Sequence, residues 1–303
     1  MIYVIGSINL DLIVNVKRLP FAGETLLGKT FKTAAGGKSA NQALAASRAG
    51  SSVTMVGAVG NDKNASMALA ELKRAEINLS NVKVTDESTG IAMISVADNG
   101  ENSIIVVAGA NSAVLPDMAL QMISEMGQGD IILLAQEIPE QTIETALKAA
   151  KNANITTILN IAPFSIKSKT LAKLADIVIA NETEFAALIG QELMGQELKR
   201  GFEHELCALA KTNQQIIIVT LGADGALGAT LKGELIKVSA LKIKPIDSVG
   251  AGDSFCGYLA AMLEQGKSLK KAMQIASTAG SLACLKQGAQ PAIPFLSEVE
   301  VKI

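Results

Sequence analysis

Short, mostly apolar runs recur along the chain, at 53–59, 131–135, 155–160, 177–180 and 216–221. Between them lie amphipathic stretches at 38–49, 139–152 and 206–212. A strand that is apolar on both faces must be covered on both faces, and an amphipathic helix can cover one of them. The alternation therefore predicts an α/β fold: a central, mostly parallel sheet with helices on both faces. Met1-Ile2-Tyr3-Val4-Ile5-Gly6 reads as its first strand. Sheets of this kind take their ligands at the carboxyl ends of the strands.

Two stretches break the rhythm. Over about 10–34 and 89–107 the apolar residues alternate instead, with Leu12, Val14 and Val16 in one, and Ile91, Met93, Ile104 and Val106 in the other. Ala97-Asp98-Asn99-Gly100-Glu101 is a turn signal inside the second. These stretches predict a small antiparallel β-sheet. Neither can build a core of its own, so the sheet must pack over the main domain or pair with a second subunit. The expected organisation is an α/β domain made of 1–9, 35–88 and 108–303, and a discontinuous β lid made of 10–34 and 89–107. No internal repeat or low-complexity linker interrupts it.

Composition changes this picture in a few places. The chain has 303 residues and is 49% apolar, which supplies a large core. Mean hydropathy is above zero, but the apolar runs fall short of the ~18 residues a bilayer span requires. The N-terminus carries no basic segment or cleavage pattern, so a cytoplasmic location is expected. Net charge is −2 with scattered Lys and Arg, which argues against a nucleic-acid partner. Cys207, Cys256 and Cys284 lie far apart and read as small apolar fillers. The single histidine, His204, sits in a polar stretch and excludes multi-histidine metal centres. An enzyme built from this chain must do its proton chemistry with a carboxylate or a lysine.

Two clusters carry candidate chemistry. After an expected strand at 235–244, Gly250-Ala251-Gly252-Asp253 opens an apolar helix. Small residues let a ligand approach the backbone, and the unpaired N–H groups of a first helical turn attract an anion. Asp253 could take a proton from a hydroxyl attacking that anion. Alone, the tetrapeptide could equally be a plain turn with Asp253 as a helix cap. In the second cluster, Gly36-Gly37-Lys38-Ser39-Ala40-Asn41, a diglycine precedes a helix of small residues. It lacks the spacing of a P-loop. It is either a flexible turn or a polar-ligand site completed by Asn41.

Together the clusters resemble the ribokinase/PfkB family of carbohydrate kinases, and the likeness runs through nearly the whole chain. It begins at Gly6-Ser7-Ile8-Asn9-Leu10-Asp11, Gly23-Glu24-Thr25 and Gly36-Gly37-Lys38-Ser39-Ala40-Asn41-Gln42-Ala43. It continues at Ser88-Thr89-Gly90, Gly100-Glu101-Asn102 and Gly109-Ala110-Asn111. It ends with Asn181-Glu182-Thr183-Glu184, Thr220-Leu221-Gly222, Gly250-Ala251-Gly252-Asp253 and Lys286-Gln287-Gly288-Ala289-Gln290-Pro291.

The resemblance implies ATP-dependent phosphorylation of a sugar at its primary hydroxyl, with ribose favoured and ribose 5-phosphate and ADP as products. It makes Asp253 the base and the amides of Gly250, Ala251 and Gly252 the anion hole. Asn9, Asp11, Gly37, Lys38, Asn41 and Glu137 would hold the sugar. Asn181 and Glu184 would organise Mg²⁺ and its waters, although Asn followed by Glu three residues later is also a helix-capping pair. Asp11 alone could be a turn residue, and Glu137 alone could cap a helix. Thr220, Gly222, Gly225, Gly252 and Ser277 would bind ATP. K⁺ would act as an activator on Asp247 and the carbonyls of Val249, Ala283, Lys286 and Gly288. A homodimer through the lid is also implied.

Three positions depart from the family pattern. Ser39 stands where Gly is usual, and its side chain either tightens the sugar pocket or points into the helix. Ile161 replaces a common proline. Ala292 replaces a frequent serine, which removes one oxygen from the cation site. The alternatives are a kinase of the same fold for 2-deoxyribose, another sugar or a nucleoside, and a non-catalytic sugar or nucleotide sensor. Aromatic residues are 3% of the chain, few for the base platform of a nucleoside pocket.

Overall fold

A computed structural model describes residues 1–191 and 202–303. Its nine-stranded sheet runs β13 (Leu235–Val238), β12 (Ala226–Ala229), β11 (Ile216–Thr220), β10 (Ile177–Asn181), β9 (Thr156–Asn160), β8 (Ile131–Ala135), β1 (Ile2–Ile5), β4 (Val53–Gly60), β5 (Asn78–Thr85). Neighbours from β11 to β5 pair in parallel, and β12 and β13 extend the sheet as an antiparallel hairpin.

Side-chain alternation explains why the predicted strands are apolar throughout. Ile2 and Val4 join one core with α1 (Lys38–Arg48), α9 (Ala251–Glu264) and α10 (Leu269–Ala283), while Tyr3 and Ile5 join another with α5 (Glu140–Asn152) and α8 (Phe202–Asn213). His204 is exposed on α8. The strand expected over 235–244 ends at Val238; the chain beyond it is irregular and walls a cleft. No helix among the described residues is long and apolar enough to cross a membrane.

Strand order reverses between β1 and β8, where loops leave the sheet in opposite directions and a crevice opens. Residues that follow β1, β8, β9, β10 and β11 therefore share one edge of the domain, and the site is built there.

The second sheet has the order β3 (Thr30–Gly36), β2 (Asn9–Val16), β6 (Gly90–Ala97), β7 (Asn102–Val107). Its outer pairs are antiparallel, but its central pair, β2 with β6, is parallel, in register from Asn9↔Gly90 to Val16↔Ala97. The reason lies in the chain path: β2 and β6 both leave the main domain, and β3 and β7 both return to it. Period-two patterning shows that strands exist but not which partner each takes.

The candidate active site

Asp253 stands in the first turn of α9, directly after the residues expected to form the anion hole. Gly250 has φ 78°, and a Cβ there would lie 2.9 Å from the Ala289 backbone, so the turn is open to glycine alone. Asp253 is buried, and each carboxylate oxygen accepts one amide hydrogen bond. Asn41 Nδ2 donates to Oδ2 at 2.9 Å, and Gln42 Nε2 donates to Oδ1 at 3.0 Å. Burial pushes the Asp253 carboxyl above its ordinary value; Lys38 and the two amides pull it back, and Glu137 adds to the rise.

Lys38 begins α1, behind Gly37, whose φ of 90° carries the chain close to the Ser7 carbonyl and the Asn9 amide. Burial works against the Lys38 ammonium, yet Asp253, Glu137 and Glu184 more than offset it and its pKa is raised. Glu137, just beyond β8, accepts from Ser7 Oγ at 2.6 Å and from the Lys38 backbone N–H at 3.0 Å. Asp11 on β2 is buried, and its pKa is pushed up to about 7, first by burial and then by Glu137 and Asp253, with Lys38 opposing. One buried ammonium thus serves a group of carboxylates, and burial favours the protonated form of Asp11.

Asn9 is held rather than free. Asn111 Nδ2 donates to its Oδ1 at 2.7 Å, while Asn111 Oδ1 accepts from the Ile8 amide at 2.9 Å. Asn41 Oδ1 is buried without a protein partner, as an acceptor waiting for a donor would be. Ser39 resolves differently from either expectation. Its side chain is buried in the space a Gly6 Cβ would occupy, with Oγ unpaired, and it lines no cleft described here.

Clefts surround this group. One, of about 470 Å³, is lined by Thr220, Gly222, Gly225, Leu241, Phe255 and Ser277 among others, a mostly apolar slot suited to a flat ring. A second, of about 220 Å³, shares Thr220, Ser248 and Gly252 with it and adds Lys38, Asn160, Asn181, Glu184 and Asp253. The expected sugar residues do not open onto one cleft. Asn9 and Glu137 line one of about 370 Å³, and Asp11 lines another of about 370 Å³ beneath the small sheet. Asp11 lies within electrostatic reach of Glu137, Asp253 and Lys38, which line the neighbouring clefts.

Asn181 and Glu184 form a reciprocal cap on α7 (Glu182–Ile189), with both bonds at 2.8 Å. Burial raises the Glu184 pKa against the Asn181 amide and Lys38. The capping pattern is therefore real, and it turns the pair into the small cleft. No group of three His, Cys, Asp or Glu side chains among the described residues could cage a metal. Oxygen donors without a cage fit Mg²⁺, which keeps waters and travels with phosphates.

Asp247 joins two loops, accepting from the amides of Val249 at 3.0 Å and Gly288 at 2.9 Å. Ala283 ends α10, and the exposed Lys286 side chain pairs with Glu298 at 3.1 Å. One carboxylate and several loop carbonyls suit a low-charge cation. Ala292, fully buried, presents no side-chain oxygen there.

Ser7, Gln42 and Asn111 belong to this network, and residue-by-residue reading assigned them no role. Each lies inside a motif already singled out, but its full burial shows only in the folded chain.

A carboxylate behind a helix-terminal anion cradle, at a topological switch point, defines a phosphotransferase acting on an alcohol. The chain belongs to the pfkB family of carbohydrate kinases, which it matches over residues 1–296. It is 37% identical over 301 residues to a ribokinase of Bacillus subtilis, covering 99% of this chain and 98% of that one. It is 33% identical over 299 residues to a deoxyribokinase of Salmonella typhimurium, covering 98% and 96%. The structure of Arabidopsis thaliana ribokinase complexed with ribose and ATP superposes with a TM-score of 0.86 at 32% identity, covering 99% of this chain and 97% of that one.

Proposed function

We propose that this enzyme transfers the terminal phosphoryl group of ATP to the primary hydroxyl of D-ribose, giving ribose 5-phosphate and ADP. The observation that carries it is Asp253, buried at the α9 N-terminus, between the mostly apolar cleft and the carboxylate group at the sugar end. The hydroxyl proton goes to Asp253, the new O–P bond forms from the sugar oxygen, and the bond to the ADP oxygen breaks. The Gly250, Ala251 and Gly252 amides face the charge on the moving phosphoryl group. Asp11 and Glu137 accept sugar hydroxyls, with Asn9, Gly37, Lys38 and Asn41 beside them. Thr220, Gly222, Gly225 and Ser277 hold the nucleotide. Mg²⁺, carried with ATP near Asn181 and Glu184, supplies charge neutralisation.

Residues 10–34 and 89–107 act as the lid over the sugar, and K⁺ at Asp247, Val249, Ala283, Lys286 and Gly288 acts as activator. Likeness to a deoxyribokinase favours one second reading, that 2-deoxyribose is the better substrate. ADP release in Mg-ATP and K⁺, compared across ribose, 2-deoxyribose, fructose, adenosine and no sugar, separates the readings by kcat/KM. A lead of tenfold for ribose supports the proposal, and a lead for any other substrate removes ribose from it. The Asp253→Asn variant is expected to lose about 10³-fold in kcat while still binding ATP. Turnover near wild type would end the assignment of Asp253 as base.

A further inference from the structure

We propose that Gln42 is a positioning residue for Asp253: its amide holds one carboxylate oxygen while Asn41 holds the other, so that the base meets the substrate in one fixed orientation. The inference rests on the reading of Asp253 as base.

Gln42 is fully buried in a stretch of α1 whose following residues, Ala43, Leu44, Ala45 and Ala46, are buried and apolar. A polar side chain in such a place is costly unless it is hydrogen-bonded. Its Nε2 finds Asp253 Oδ1 at 3.0 Å, while its Oε1 finds no protein partner. The side chain is thus only half satisfied, and the half that is satisfied is the bond to Asp253. Gln42 lines none of the clefts described above, so it acts through Asp253 and not on substrate.

The packing beneath it holds that bond in place. Gly257 lies one turn beyond Asp253 on α9. A Cβ at Gly257 would stand 2.4 Å from the Gln42 carbonyl oxygen and 2.5 Å from Ala45 Cβ. The two helices therefore meet backbone to backbone at the level of Gln42, which lets a side chain of its length fold along the contact to Asp253. Asn41 and Gln42, adjacent in sequence, take opposite oxygens, and this fixes rotation of the carboxylate about its own bond. Each oxygen keeps one lone pair clear of an amide, as a base needs.

The charged groups facing Asp253 are Lys38 from α1, Glu137 after β8, Asp11 from β2 and Glu184 from α7, with the Cys256 thiol on its own helix. Among these, the Gln42 amide is one of the few contacts that favour the ionised carboxylate over the protonated one. Removing it should raise the pKa of the base. Activity then falls at higher pH on the acid side, because turnover is lost as pH drops through that pKa.

The test is kcat against pH for Gln42→Met and Gln42→Glu, with Asp253→Asn as control and ligand-free unfolding measured alongside. Gln42→Met keeps the length and deletes the donor. Its acid limb is expected to move up by about one pH unit, a hydrogen bond to a charged group being worth roughly that much. Below the limb kcat falls about tenfold more than above it, and KM for sugar and ATP stays within about twofold. Gln42→Glu has the same shape and places a second carboxyl on Asp253, so its shift should be at least as large. It carries the test if the Met variant does not fold. An unmoved acid limb in the folded variants overturns the proposal, as does a loss equal at every pH with a raised sugar KM. If Asp253→Asn itself turns over normally, the base assignment falls and this inference with it. If that variant is dead and the Gln42 limb is unmoved, the inference alone falls.

Discussion

The two sheets of this chain treat apolar surface in opposite ways. In the nine-stranded sheet, β1, β4 and β8 are buried at every position, and the polar side chains at their carboxyl ends are tied to one another. In the four-stranded sheet, register puts Asp11, Ile13, Ile94 and Ile104 on the face that walls a cleft, and Phe31, Met93, Ile105 and Val107 on the other. On that outer face Phe31 is 63% exposed, Met93 50%, Ile105 61% and Val107 45%. A neighbouring run of bulky apolar side chains on a small sheet calls for cover. The first sheet holds reacting groups still; the second has a surface to offer. A homodimer through the outer face of the small sheet, the assembly that the family resemblance implies, would supply that cover.

The largest effect should come from the rigid half. Asp253→Asn is expected to remove about 10³-fold from kcat without changing the assembly. The opposite substitution is Ile105→Asp, which places a charge in the middle of the outer face and touches no residue of the site. It is expected to raise the dimer dissociation constant at least ~100-fold, burial of an unpaired charge being strongly unfavourable. Sedimentation across a concentration series reads this directly. A wild-type chain that sediments as a monomer at every concentration removes the dimer from the account.

A smaller effect tests the carboxylate group. The Asp11 pKa is about 7 in the folded chain and near the ordinary Asp value when unfolded. The folded state therefore holds a proton that the unfolded state has released between those two values, and stability falls as pH rises through this window. Ligand-free Asp11→Asn lacks this penalty. It is expected to match wild type in thermal unfolding at pH 4 and to exceed it at pH 8 by on the order of 4 kcal/mol. Equal stabilities at both pH values would mean that Asp11 is ionised in the folded protein without cost. Sugar KM should rise in the same variant, because an amide oxygen accepts vicinal hydroxyls less strongly than a carboxylate.

These contrasts also mark what sequence could and could not convey. Continuous apolar strands such as 131–135 announce two covered faces, so the main sheet and its helices were legible. The edge strand β5 was not, because Asn78, Ser80 and Lys83 are exposed there and its pattern is that of a loop. The parallel pairing of β2 with β6 was hidden for another reason: alternation records which side a residue faces, never which strand lies beside it. Within the site, Asp253 and the glycine turn could be read because a helix start has a local signature. The bonds from Gln42 and Asn41 to Asp253 span 211 and 212 residues and depend on how α1 and α9 cross. Ser39 was hard to read for the same reason, since only the packing of α1 on β1 directs its side chain to Gly6.

The smallest effect concerns the join between the two halves. Asp247 ties the loop before α9 to the loop carrying Gly288, and the small sheet reaches the same loops through Lys32 Nζ, 3.4 Å from Gln287 Oε1. A cation bound there would stiffen the turn that carries Gly250, because Ala289 packs directly on it. The family resemblance assigns residue 292 to this site, where Ala292 would offer a methyl group and a serine an oxygen. One neutral oxygen among several is worth little beside the Asp247 carboxylate, so the change should be modest. Ala292→Ser is expected to lower the K⁺ concentration for half-activation by about threefold to tenfold, roughly 1 kcal/mol for one added hydrogen-bond-strength contact. Maximal kcat should stay the same. Steady-state rates across a KCl series, with ionic strength held by a bulky organic cation, read both quantities. A wild type indifferent to K⁺ whose Ala292→Ser variant is equally indifferent would remove the cation from these loops and leave Asp247 as a purely structural tie.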